Sequence, residues 1–199
     1  MSESALAAAT ARIEAALTTP QARPCVRSFF DPANFTASHV VHDPQTGEAA
    51  VIDSVMDYDP VSGRTDYRSA QQIVDYVQRE KLTVVWQLET HAHADHLSAA
   101  PWLRDQLGGR IGIGADIVRV QHTFGSIFNA GTGFARDGSQ FDHLFTDGEC
   151  FKLGALDCIA LHVPGHTPAD MAFVIGDAAF IGDTLFMPDY GTARADFPG

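Results

Sequence analysis

The chain has 199 residues, 45% of them hydrophobic and 19% charged, which is enough apolar mass for one ordinary domain and too much for a disordered chain. Its formal net charge is -12, from 25 acidic against 13 basic residues, and only Lys81 and Lys152 are lysines. No Lys/Arg cluster is present to neutralise phosphates, which speaks against nucleic acid and anionic membranes as partners, and no apolar run reaches the length of a membrane span.

Taken in order, Ser4 to Leu17 reads as a helix with Leu6, Ile13 and Leu17 near one face and Pro20 beyond its end. Extended runs follow at Val26–Phe30 and Phe35–His42, and a turn over residues 43–47 leads back into Ala49–Asp53 as a hairpin. Ser69 is placed to cap a helix running to Glu80, with Ile73, Val74 and Val77 as its buried stripe. Leu82–Leu88 is a continuous apolar strand of the kind buried on both faces.

A helix from about Ser98 to Leu107 stops at Gly108 and Gly109, a short strand covers Ile111–Ile113, and a further helix covers Ala115–Phe128. Residues 131–139 are rich in glycine and read as a mobile, solvated loop with a lid as the alternative. Strands are expected at Cys150–Leu153, Leu156–Val163, Met171–Ile175 and Ala178–Ile181. Helices alternate with strands after the first hairpin, so the class is α/β with mixed sheets.

Met1-Ser2-Glu3-Ser4 reads as a poor secretory signal, and the three cysteines (Cys25, Cys150, Cys158) are scattered with no C-x-x-C. They read as small buried hydrophobes in a reducing, cytoplasmic protein. Nothing marks a domain boundary, so residues 1–199 are treated as a single domain. Asp196-Phe197-Pro198-Gly199 has the character of a loop with no closing element after it, which suggests a fragment of a longer chain.

Three of the nine histidines fall in Thr90-His91-Ala92-His93-Ala94-Asp95-His96, directly after a buried strand. The carboxyl edge of a strand is where α/β proteins build sites. In an extended segment, residues i and i+2 point the same way, so His91 and His93 are placed to converge on one ion. Asp95 and His96 lie past the bend and face a second position. Imidazole with carboxylate suits zinc, iron or manganese. His166, in a Pro-Gly-His-Thr turn, and Asp183, in Gly-Asp-Thr-Leu-Phe, would each pass alone as turn residues. Both follow a predicted strand, as the first cluster does, and so join it as candidate ligands. His39, His42, His122, His143 and His162 read as surface or core residues.

In order and spacing these motifs resemble those of the metallo-β-lactamase superfamily, with Asp53 similar to its first-motif aspartate. The resemblance covers about residues 35 to 197 and implies an αββα sandwich with a metal site at one edge of the two sheets. The superfamily's last histidine ligand is absent, in keeping with a fold truncated in its C-terminal half. Ala94, the Leu97-Ser98-Ala99 continuation and the run from Gly191 to Phe197 are similar to the persulfide dioxygenases, sulfur dioxygenase relatives of glyoxalase II. Glyoxalase II usually continues its metal motif with Gly-Gly, and flavodiiron proteins would carry glutamate in place of His93.

That resemblance implies an enzyme that oxidises glutathione persulfide to sulfite and glutathione with O₂. Its single Fe(II) would be held by His91, His166 and Asp183, and His93, Asp95 and His96 would form an outer shell. A glyoxalase II type hydrolase is the alternative; it would bind two Zn(II) ions and also use His93, Asp95 and His96 as ligands to cleave a glutathione thioester. A non-catalytic binding module is a third possibility, against which the full ligand set speaks. Arg194 either pairs with Asp196 or orients an anionic substrate. The partners expected are small molecules and, at most, a second copy of the chain.

Overall fold

Val40 and Val41 are neighbours in the chain, both fully buried, and they belong to different hydrophobic cores. Successive side chains of a strand point to opposite faces, so a sheet that buries both must be covered on each side. The computed structural model, which describes residues 1–187, shows how this is done.

In chain order the elements of the first half are α1 (Glu3–Thr18), β1 (Cys25–Asp31), β2 (Thr36–His42), β3 (Glu48–Ile52), β4 (Val55–Asp59), β5 (Arg64–Asp66), α2 (Arg68–Arg79) and β6 (Thr83–Leu88). There follow β7 (Leu97–Ser98), α3 (Ala100–Leu107), β8 (Arg110–Gly114), α4 (Ile117–Ile127), β9 (His143–Phe145), β10 (Glu149–Leu153), β11 (Leu156–His162), β12 (Met171–Ile175) and β13 (Ala178–Phe180). One sheet has the order β1-β2-β3-β6-β8-β9 and the other β10-β11-β12-β13. A small third sheet, β5-β4-β7, lies beside the first helical layer.

The two main sheets pack face to face. Val41, Ile52, Trp86, Leu88 and Phe145 from the first meet Leu153, Leu156, Met171, Phe173 and Ile175 from the second. On the outer face of the first sheet, Val40, Ala49, Val51 and Val84 pack against Ala70, Ile73, Val74 and Val77 of α2 and Leu103 of α3. On the outer face of the second, Ala5 and Ala9 of α1 pack on Ile159, Leu161, Ala172 and Val174. This is the expected four-layer αββα arrangement.

The pairing of β3 with β6 shifts register between Ala49 and Ala50, which leaves Val85 as an extra residue. Val84 and Trp86 therefore face opposite layers although they are two residues apart.

Four differences from the sequence expectations have physical causes. The strands β4, β5, β7 and β9 are two to five residues long, and β5 is wholly exposed, so no apolar alternation announces them. Ser69 does not cap α2; it lies inside the helix, and its N–H and hydroxyl donate to the Asp57 carboxylate at 2.9 and 2.7 Å. The end of α2 is thus capped by a side chain from β4, a partner that local sequence cannot disclose. Only Cys158 is a buried hydrophobe, its thiol pushed up to about 12 by burial, whereas Cys25 and Cys150 are exposed.

The fourth difference is the glycine-rich loop, which is anchored rather than free. Arg136 donates to the carbonyls of Gly125 and Ala130 at 2.8 and 2.9 Å, and the Gly138 N–H donates to Gln121 at 2.9 Å. Among the described residues, no helix is long and apolar enough to cross a membrane.

Candidate metal centre

β3 and β6 are parallel neighbours with Ile52 opposite Leu88, so the residues that follow each strand emerge side by side. Asp53 donates its N–H to the Leu88 carbonyl at 3.0 Å, and Glu89 donates to the Gly112 carbonyl at 2.9 Å. The second sheet delivers His166 after β11 and Asp183 after β13. A backbone bond from the Met171 N–H to the Thr90 carbonyl, 2.8 Å, ties the two sheets together at this edge.

Asp53 has a left-handed backbone (φ 51°) and turns a buried carboxylate back into the edge. It accepts the Thr90 N–H at 2.7 Å and the Thr90 hydroxyl at 2.9 Å. Because that hydroxyl spends its proton on Asp53, it accepts from the Nδ1–H of His91 at 3.0 Å. The lone pair of His91 is therefore on Nε2, which is buried with no hydrogen-bond partner. Burial, reinforced by His93, lowers the His91 pKa to about 3, so the ring is neutral at physiological pH. A buried, neutral and unsatisfied imidazole nitrogen is what a metal ligand requires, and it would be costly as a purely structural feature.

His166 is buried and meets His91 edge to face, with ring centroids 5.0 Å apart. Its loop is held by Asp170, whose carboxylate accepts the Thr167 N–H at 2.8 Å and the Thr167 hydroxyl at 2.5 Å. Asp183 lies 3.6 Å from His166 Nε2, and burial pushes its carboxyl above the ordinary range while His166 pulls the other way. The close approach needs Gly182, with φ 49°, because a Cβ there would run into Thr90 Oγ1.

Ligand atoms of His91, His166 and Asp183 all lie within 4.8 Å of one another. The i, i+2 spacing of His91 and His93 brings their rings side by side, with centroids at 4.1 Å, and His93 also groups with Asp95 and His96, and separately with Asp53 and Glu89. His93 Nε2 lies 3.2 Å from both the Asp53 and the Glu89 carboxylates. Burial opposes the charge on His93, but Asp53 and Glu89 outweigh it and hold its pKa well above the ordinary value.

His96 places Nδ1 3.3 Å from Asp95 and leaves Nε2 buried without a partner. The bond to His96 pulls the half-exposed Asp95 carboxyl well below its ordinary value despite partial burial.

Beside these groups opens a cleft of about 1110 Å³ whose lining includes Phe30, Phe35, Phe180 and Phe186 together with Asp95 and Asp183. His39 also lines it; its ring packs on Phe180, and burial lowers its pKa against the pull of Asp53. His162 is structural, with Nε2 2.8 Å from the Pro168 carbonyl. Arg194 and its candidate partner Asp196 lie outside the described residues. Glu89, Thr90 and Asp170 also belong to this edge, and motif spacing does not single them out. For Glu89 the available signal was a carboxylate directly after a buried apolar strand.

The chain is 56% identical over 184 residues to a metallo-hydrolase, named as probable, of Burkholderia pseudomallei, covering 87% of this chain and 63% of that protein. It is 46% identical over 167 residues to glyoxylase B2 of Dictyostelium discoideum, covering 82% and 56%. With the human mitochondrial persulfide dioxygenase ETHE1 it shares 29% over 174 residues, covering 86% and 56%. The chain thus spans between about half and two thirds of the length of these relatives. Its fold is that of ETHE1 from Myxococcus xanthus, with a TM-score of 0.64 at 24% identity over 87% of this chain and 62% of the other. The family model for the metallo-beta-lactamase superfamily matches residues 32–198, and with the four layers and the histidine–aspartate edge in place, the chain belongs to that superfamily.

Proposed function

We propose that this chain carries the catalytic unit of an iron-dependent sulfur dioxygenase that oxidises glutathione persulfide. The observation that carries this reading is that ligand atoms of His91, His166 and Asp183 lie within 4.8 Å of one another. Two imidazoles and one carboxylate form the facial arrangement that leaves positions open for substrate and O₂. Iron(II) bound there would supply the redox chemistry for bringing O₂ to a sulfur anion. The overall reaction balances as glutathione persulfide, O₂ and water giving glutathione, sulfite and two protons.

The chain's own residues prepare that position. The Asp53–Thr90 pair fixes the His91 tautomer, and the Thr167–Asp170 pair fixes the loop that carries His166. Phe30, Phe35 and Phe186 give the cleft apolar walls that shed water around a sulfur substrate. Asp95 and His96 border the same edge as an outer shell that orients the ligands. All three cysteines are unbridged, in keeping with a cytoplasmic protein.

A second reading rests on a specific observation. His93, Asp95 and His96 also fall within one 4.8 Å span, and His96 Nε2 is buried and unpaired. That is a second position of the kind a two-zinc thioester hydrolase of the glyoxalase II class would use.

Anaerobic purification of the protein with its full sequence, followed by elemental analysis and an oxygen electrode, separates the two. The dioxygenase reading expects about one iron per chain, O₂ uptake that depends on glutathione persulfide, and sulfite as product. Two zinc ions per chain with rapid cleavage of S-lactoylglutathione and no O₂ uptake would overturn it.

A further inference from the structure

Val41 fills the space between the two main sheets, and His39, two residues earlier on β2, faces the same way. It stands nearer the open edge, where it lines the cleft together with Ser28, Asp53 and Asp183. Its backbone is fixed on both sides, because β2 pairs with β1 and β3 and sets His39 opposite Ser28 and Ile52. Its ring rests on Phe180, with centroids 5.3 Å apart, and Nδ1 lies 2.9 Å from the Ser28 hydroxyl.

That leaves Nε2. It has no hydrogen-bond partner among the described residues, and it is not one of the buried unsatisfied atoms, so it is open to the cleft. Burial keeps the ring below the ordinary histidine pKa, so it carries a single N–H. The Ser28 hydroxyl can serve Nδ1 as donor or acceptor, and the surroundings select between the two tautomers. Asp53, Asp95 and Asp183 border the cleft, and their field favours an N–H dipole pointing towards it. Ser28 then donates to Nδ1, and the Nε2–H of His39 faces the cleft.

A donor at this place has a use. Glutathione persulfide is anionic at its sulfur and at its carboxylates, whereas the described lining of the cleft contains neither lysine nor arginine. An anion that leaves water for such a wall needs hydrogen-bond donors in exchange. The Thr36 hydroxyl, also in the lining, is spent on Asp95.

We propose that His39 is a substrate-contacting residue whose Nε2–H binds an anionic group of the glutathione moiety, and that Ser28 is the positioning residue that fixes its tautomer. The proposal rests on the reading of the substrate as glutathione persulfide, and it adds where the charge of that substrate is recognised. The contact comes from a strand paired on both sides, which holds a donor more precisely than a loop does.

The test uses the protein with its full sequence, loaded with Zn(II), which has no redox chemistry, and glutathione as the probe. Affinity is measured by calorimetry for wild type, His39→Phe, His39→Gln and Ser28→Ala, and the imidazole nitrogens are followed by NMR. His39→Phe keeps a ring against Phe180 and removes both nitrogens. Binding should weaken about tenfold or more, since a hydrogen bond to a charged group is lost. His39→Gln returns an N–H donor and should recover most of that loss, which a packing role would not explain. Wild type should show the Nε2–H tautomer, with its signal moving when glutathione is added. Ser28→Ala should show both tautomers and an intermediate affinity.

Glutathione diethyl ester, with its carboxylates masked, locates the contact. A His39→Phe loss that disappears with the ester assigns it to a carboxylate, and a loss that persists assigns it to the sulfur. Equal binding of glutathione by wild type and folded His39→Phe would overturn the role of His39 and leave the substrate reading standing. An Nδ1–H tautomer in wild type would overturn it without any variant. Failure of wild type to bind glutathione at all would overturn the substrate reading and the proposal with it.

Discussion

The two clusters of ligand-type side chains at the sheet edge have similar composition and differ in what surrounds them. His91, His166 and Asp183 come from three separate strand ends, and the buried Nε2 of His91 has no protein partner. His93, Asp95 and His96 come from one bend, Asp95 is half exposed, and all three are paired, His93 with the Asp53 and Glu89 carboxylates and Asp95 with His96. Each cluster leaves one buried imidazole nitrogen without a partner, His91 Nε2 in the first and His96 Nε2 in the second, but the first joins three strand ends whereas the second is closed within one bend. Residue type sets what a side chain can coordinate, whereas its neighbours decide whether an atom is left over to do so.

The largest expected consequence is in the metal-free protein's response to acid. Folded His91 stays neutral until about pH 3, whereas the unfolded chain takes up that proton near the ordinary value of 6.5. The unfolded state therefore binds more protons between these values, and stability should fall as pH drops through that window. At about 1.4 kcal/mol for each tenfold change in proton affinity, this contribution is at most about 5 kcal/mol. His91→Asn should flatten the slope in urea unfolding measured from pH 6.5 to 4. His93 works in the opposite window, because its raised pKa contributes stability that is lost as pH climbs above the ordinary histidine value. His93→Asn should change the alkaline side and spare the acid side. The same acid slope in wild type and His91→Asn would break the contrast.

Metal retention sharpens it next. His91→Ala should weaken Fe(II) or Zn(II) binding by on the order of a hundredfold or more, since losing a ligand exceeds the roughly 10- to 100-fold typical of outer-shell changes. Asp95→Ala should cost roughly tenfold or less on that scale. Chelator competition on the two variants decides the matter, and equal losses would mean that the clusters act as one binuclear site.

The smallest effect is expected at Thr36, whose hydroxyl lies 3.3 Å from Asp95 and 3.4 Å from His96. Thr36→Ala touches only the second cluster. It should change stability by less than about 0.5 kcal/mol in urea unfolding and leave first-ion affinity unchanged. A larger loss of metal would show that Asp95 and His96 support the primary ion more directly than their geometry implies.

Much of this was legible in the chain. Strand alternation around Val40 and Val41 and the α2 stripe of Ile73, Val74 and Val77 required a sheet covered on both faces, because apolar periodicity is a local property of the residues. The clustering of His91, His93, Asp95 and His96 after a buried strand marked the edge where the candidate ligands gather, because strand ends are where side chains can leave the core.

Which of those side chains converge was decided only by the tertiary structure. His91 and His93 alternate as spacing suggests, but only the tertiary structure brings Asp53, 40 residues earlier, and Glu89, held by Ser98 of the third sheet, to Nε2 of His93. Asp57 caps α2 in place of Ser69 in the same way. Hydrogen bonds between distant segments depend on sheet register and on which layer covers which, and neither is encoded within a local window. Residue spacing therefore marked the candidate ligands, and long-range packing decided which side chains each of them meets.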